Sequence, residues 1–127
     1  MKTHLNLATS DLNKSVAFYS TLLNAKPAKV RTDYALFTLE QPGLELALDL
    51  RDTVEPTRDA HFGIYLETTD EVERAIERLE SAGLAASVER EETCCYANQT
   101  KAWAVDPEGR RWEVYTVHED TDVCCSS

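Results

Sequence analysis

The chain of 127 residues is sparing with the residues that staple or kink small folds: it has 4 Cys, 4 Pro, 4 Gly and 1 Met. No apolar run approaches the roughly 20 residues of a membrane-spanning helix. The opening "MKTHLNLATSDL" lacks the apolar core and cleavage site of a secretory signal. Basic residues are also scarce, 13 against 23 acidic, and the formal charge of -10 argues against nucleic acid and anionic membranes as partners. The cysteines fall in two adjacent pairs, Cys94-Cys95 and Cys124-Cys125. That is unlike a disulfide framework, whose bridges link distant segments, and neighbours bridge only through a strained ring. A single domain of this length buries enough core to need no staple. The expectation is a cytoplasmic protein with reduced thiols.

What is present is a pattern that occurs twice. "THLNLATS" alternates, with Leu5 and Leu7 on one face and His4, Asn6 and Ala8 on the other, which predicts a strand. A helix follows, with Thr9 or Ser10 as its cap, Leu12, Val16, Tyr19, Leu22 and Leu23 as its apolar stripe, and Asn24 and Pro27 as its stop. "AKVR", "YALFTL" and "LELALDL" then read as strands, so residues 1–50 are expected to form a βαβββ module. The charged stretch 51–60, with Pro56, reads as a linker. The pattern restarts at "HFGIYLE", and Thr68 with Glu71 forms a capping box for a second helix with Val72, Ala75, Ile76, Leu79 and Ala82 facing inward and Gly83 at its end. "AASVER", "KAWAVD" and "RWEVYTV" complete a second βαβββ module over 61–118, with a strong turn at Asp106-Pro107-Glu108-Gly109. Residues 119–127 read as a flexible tail holding Cys124 and Cys125, and His118 as a surface residue after the last strand.

An internal repeat changes how single residues are read. His4 and His61 open corresponding strands, and Glu45 and Glu113 each sit between apolar neighbours in the last strand of a module. Strand alternation sends those neighbours toward the helices and the four polar groups to the other face, where they converge if both modules share one curved sheet. Two imidazoles and a carboxylate make the facial triad that leaves open positions on non-haem Fe(II), and the same donors hold Zn, Ni or Mn. A lone strand histidine is more often simply hydrogen-bonded or exposed. Two of only 3 histidines at equivalent points of a repeat bring a metal site level with that reading, and both stay open. The adjacent Cys94 and Cys95 lie in the polar run "REETCCYANQT", where two core thiols are hard to place. As thiolates they form a soft bidentate ligand for Cd(II) or trivalent arsenic, and a redox dithiol is the alternative.

The paired βαβββ reading, with His4, His61 and Glu113 at their strand positions, resembles the vicinal oxygen chelate superfamily, which includes glyoxalase I, extradiol dioxygenases and fosfomycin-resistance enzymes. The stretches "TCCYANQTKAWAVDPEGRRWEVYTV" and "LATSDLNKSVAFYSTLLNAKPAKV" resemble more narrowly the arsenic-inducible carbon-arsenic lyases and the related cadmium-induced proteins. The resemblance implies an α+β fold, two modules forming a curved mixed sheet around a metal-binding cavity. It implies an Fe(II)-dependent dioxygenase that cleaves the carbon-arsenic bond of trivalent organoarsenicals with O2. His4, His61 and Glu113 would hold the metal, and Cys94 and Cys95, flanked by Tyr96 and Lys101, would hold the substrate. A homodimer is compatible with this family, and Glu45 is a candidate fourth ligand of the glyoxalase type. A Cd(II)- or arsenic-binding protein without turnover and a glyoxalase-type lyase or isomerase are the alternatives. Cys124 and Cys125 are candidates for a thiol relay or for a neutral terminus.

Overall fold

The computed structural model describes residues 1–94 and 97–120. Among them the elements run β1 (Thr3–Thr9), α1 (Leu12–Leu23), β2 (Lys29–Val30), β3 (Tyr34–Leu39) and β4 (Leu44–Leu50), then β5 (His61–Tyr65), α2 (Thr69–Ser81), β6 (Ala85–Cys94), β7 (Ala97–Val105) and β8 (Arg111–Asp120). This is βαβββ twice, as the periodicity predicts, in the α+β fold with mixed sheets that the resemblance implies. The chain divides into one unit of Met1–Asp59 with Asp106–Arg110 and another of Ala60–Val105 with Arg111–Ser127. Strand β2 is only Lys29–Val30, shorter than the "AKVR" run, and β8 continues to Asp120, so His118 lies inside the strand rather than after it.

In the first unit the sheet order is β1-β4-β3-β2, with β1 and β4 parallel and the other neighbours antiparallel. A parallel pair needs a long crossover, which α1, β2 and β3 supply. Alternate residues Leu44, Leu46 and Leu48 of β4, with Ala35 and Phe37 of β3, are buried, as are Leu12, Ser15, Phe18, Tyr19 and Leu22 of α1. Val16 and Leu23, expected inside, are only partly covered, and Phe18 takes the larger share of the core. The cap of α1 is Asp11, whose carboxylate accepts from the Lys14 N–H at 3.0 Å. Thr9 and Ser10 are engaged elsewhere: the Thr9 hydroxyl accepts from the Asp11 N–H at 3.2 Å, and the Ser10 hydroxyl donates to Glu108 at 3.0 Å. Asn24 ends the helix in the left-handed region, with φ 51°, and its N–H points to the carbonyls of Ser20 and Thr21.

The turn Asp106–Arg110 belongs to this unit through a buried polar network. Asp106 accepts from the backbone N–H of Glu108 at 2.9 Å and of Arg110 at 2.8 Å, from the Tyr19 hydroxyl, and from the Arg110 guanidinium at 3.1 Å. Arg110 also donates to the Ala8 carbonyl at 2.7 Å. Gly109, at φ 88°, supplies the backbone conformation that closes the turn.

In the second unit the order is β5-β8-β7-β6, again with one parallel pair, β5 with β8. Helix α2 packs on β6, β7 and β8 through Val72, Ala75, Ile76 and Leu79, all buried. Its Thr68 hydroxyl accepts from the Glu71 N–H at 3.2 Å and donates to the Glu71 carboxylate at 3.2 Å. Ala82, expected in the stripe, is the exposed C-cap. The facing strand residues Ile64, Ala102, Ala104, Trp112 and Val114 complete the core, with the Phe62 and Trp112 rings 5.0 Å apart. The opposite face of this sheet carries His61 and Glu113.

Candidate metal-binding residues and their surroundings

Each unit brings one histidine to one carboxylate on the sheet face away from its helix. In the first unit His4 and Glu45 are direct partners across the parallel β1/β4 pair, and His4 Nδ1 lies 3.2 Å from Glu45 Oε1. Both side chains are open, 55% and 41% exposed. In the second unit His61 stands opposite Arg111 and Glu113 stands opposite Gly63, so the pair meets diagonally, with His61 Nε2 3.3 Å from Glu113 Oε2. Relative to its histidine, Glu113 is therefore one two-residue step further along than Glu45. The sequence pattern makes the two glutamates look equivalent; the register shows that they are not.

Glu113 is the more enclosed carboxylate, its side chain 11% exposed beside a His61 that is 50% exposed. Gly63 makes that placement feasible. A Cβ there would come within 3.3 Å of Glu113 Cγ and 3.2 Å of the Tyr115 ring, so a larger residue would press on both. Two donors bound to one ion at about 2.1 Å and about 90–105° apart lie about 3.0–3.3 Å from each other. The His61–Glu113 spacing fits that bite, and an imidazole with a carboxylate suits a first-row divalent ion. Among the described residues no cluster of three or more His, Cys, Asp or Glu side chains is preassembled. Each unit offers a pair.

Lys101 stands opposite Tyr115, one step along β7 from Trp103, and so on the Glu113 face. Cys94 ends β6 opposite Ala97. Ala97 is six residues from Trp103, the partner of Glu113, which places the Cys94 backbone about 20 Å along the ladder from the His61–Glu113 pair. Cys95, Tyr96, Cys124 and Cys125 lie outside the described residues.

Residues that sequence reasoning did not pick out crowd the same face. The Trp103 ring meets His61 edge to face at 5.2 Å, its indole N–H donates to Glu89 at 3.2 Å, and Arg111 lies 6.0 Å over it. Tyr65 and Tyr115, register partners, form a T-shaped pair at 5.6 Å, and Tyr65 is 52% exposed. Strand parity was the available signal, since Tyr65 shares the face of His61, and Tyr115 that of Glu113.

Comparison with known proteins identifies the family and the fold. Residues 3–114 match the family described as the Glyoxalase/Bleomycin resistance protein/Dioxygenase superfamily. The trivalent organoarsenical cleaving enzyme of Bacillus sp. (strain MD1) is 43% identical, over 96% of this chain and 81% of that one. The protein of the same name from Thermomonospora curvata is 41% identical, over 95% of this chain and 80% of its own. The cadmium-induced protein CadI of Mycobacterium tuberculosis is 40% identical, over 95% of this chain and 79% of that one. In fold, the chain is similar to a glyoxalase/bleomycin resistance protein/dioxygenase structure from Alicyclobacillus acidocaldarius, with a TM-score of 0.75, 21% identity and coverage of 94% and 92% of the two chains.

Proposed function

Because the chain belongs to the Glyoxalase/Bleomycin resistance protein/Dioxygenase superfamily, we propose that it is an Fe(II)-dependent dioxygenase that cleaves the carbon-arsenic bond of trivalent organoarsenicals. The observation that carries the reading is the His61–Glu113 pair at ligand spacing, in a chain about two-fifths identical to proteins named for that cleavage. His61 and Glu113, with His4, are the proposed ligands. Bound there, Fe(II) would supply the activation of O2. The carboxylate of Glu113 brings negative charge that favours a divalent ion, and the two imidazoles would complete a donor set suited to a first-row metal.

Cys94 and Cys95 are the proposed substrate ligands. Methylarsenite has two exchangeable positions on arsenic, and two thiolates replace both while the arsenic-carbon bond stays intact. The overall reaction balances: methylarsenite and one O2 give arsenite and formaldehyde. Lys101 and Tyr96 are proposed to line the substrate position. Thiolates of this kind need a reducing compartment, which fits a cytoplasmic location.

A second reading is favoured by one observation. The Cys94 backbone stands about 20 Å along the sheet from the His61–Glu113 pair, a separation that thiol capture alone has no need to bridge. The thiols would then sequester Cd(II) or arsenic without turnover. Turnover requires that the end of the β6–β7 ribbon approach Glu113. Paired variants test the division of labour. Cys95→Ser is expected to lose methylarsenite binding and keep Fe(II), and Glu113→Ala to keep methylarsenite and lose Fe(II). Normal turnover in both variants would refute the proposed site.

A further inference from the structure

A row of side chains crosses every strand of the second unit's described sheet and ends on His61. It starts at Glu89 of β6, which accepts the Trp103 indole N–H at 3.2 Å. Trp103 of β7 then lies edge to face against His61 of β5, with ring centroids 5.2 Å apart and planes at 70°. Arg111 of β8, the register partner of His61, caps the Trp103 ring with its guanidinium at 6.0 Å. Trp103 is thus held on two sides and presses its third against the imidazole.

The imidazole needs such a wall. His61 is half exposed, and its contact with Glu113 is through Nε2 alone. A single contact fixes one atom and leaves the ring free to pivot about it and to swing toward solvent. Every such excursion must be given up when Nε2 takes a metal, which lowers affinity. Edge-to-face packing removes that freedom in advance and carries an attraction beyond simple burial. We infer that Trp103 is a positioning residue for His61, and that Glu89 sets Trp103 in place through the indole N–H. The role rests on the metal-binding reading only in its consequence for affinity. The orientation of His61 in the metal-free protein is independent of that reading.

The test uses the full chain with Co(II) as probe, read by its visible absorption, and side-chain NMR of His61 in the metal-free protein, assigned with His61→Gln. Trp103→Leu keeps apolar bulk but has neither ring nor N–H. It is expected to weaken Co(II) binding about tenfold, the usual order for partners behind a metal ligand, and to average the His61 ring signals. Trp103→Phe restores a ring without the N–H and is expected to return the His61 signals most of the way to the native ones, to about where Glu89→Leu leaves them, with most of the affinity. Glu89→Leu leaves both rings in place and removes the indole's acceptor; it should shift the His61 signals in the same direction and by less. Unchanged His61 signals in Trp103→Leu, or Trp103→Phe behaving like Trp103→Leu, would overturn the inference. If Trp103→Leu does not fold, Glu89→Leu against Trp103→Phe decides it by the same signals. If the native protein binds no Co(II), the metal reading fails, and the metal-free His61 signals alone decide whether Trp103 positions the ring.

Discussion

Glu113 and Glu45 face their histidines across similar distances, 3.3 Å and 3.2 Å, yet differ in setting. The side chain of Glu113 is 11% exposed and sits against Gly63, whereas that of Glu45 is 41% exposed on an open face. A carboxylate already withdrawn from water loses less on binding an ion, so Glu113→Ala is expected to abolish tight metal binding. Glu45→Ala is expected to change metal affinity by no more than about threefold, less than the usual loss for a partner behind a metal ligand, because the Glu45 carboxylate is open to water that can take its place beside His4. Metal titration of the two variants checks this, and metal loss in Glu45→Ala would favour a four-ligand, glyoxalase-type site. Asp106 presents the opposite case, a carboxylate that serves structure. Its side chain is fully buried and paired with a nearly buried Arg110. Asp106→Ala leaves that guanidinium without its anion and should destabilise the protein by about 3–5 kcal/mol in denaturant unfolding.

At the scale of elements, the turn carrying Glu108 and the start of α1 act together. Partial burial pushes the Glu108 carboxyl up, but the Ser10 backbone N–H, the Ser10 and Thr9 hydroxyls and nearby Arg110 outweigh it and hold the carboxyl below its ordinary range. A group depressed in the folded state stabilises fully above its unfolded pKa, about 4.3 for Glu, and the stabilisation is lost as pH falls through the lower folded value. Glu108→Gln is therefore expected to cost up to about 1 kcal/mol at neutral pH, solvent screening included, and to flatten the acid limb of stability. Thermal unfolding across the acid range measures both effects. In α2, Ile76 is 1% exposed among Val72, Ala75 and Leu79. Ile76→Ala should cost about 2–5 kcal/mol, depending on how far the helix settles onto β7 and β8.

These elements also show what a sequence can disclose. The α2 stripe and the Thr68 cap were legible because periodicity and capping are local. The cap of α1 was not, because Thr9 and Ser10 are drawn to Glu108, 98 residues beyond Ser10 in the chain. Phe18 entered the core in place of Val16 for a related reason: the stripe position depends on which face meets β3 and β4, and the helix's own sequence allows both.

For the molecule as a whole, the repeat was readable and its register was not. Strand alternation placed His4, Glu45, His61 and Glu113 on the faces away from the helices, and the structure agrees. The different offsets, His4 opposite Glu45 but His61 diagonal to Glu113, arise from pairing between strands far apart in the chain. Trp103 escaped notice because an aromatic in an alternating run reads first as core, and only pairing with Glu113 places it beside His61. The Thr93-Cys94-Cys95-Tyr96 motif stood out as a candidate soft ligand, while the distance of Cys94 from the His61–Glu113 pair required the ladder. The central claim joins these two features into one catalytic site, and turnover tests it most directly. Protein reconstituted with Fe(II) under anaerobic conditions, loaded with methylarsenite and then exposed to O2, is expected to release arsenite and formaldehyde in equal amounts. Methylarsenite retained by the protein, with neither product formed, would contradict it.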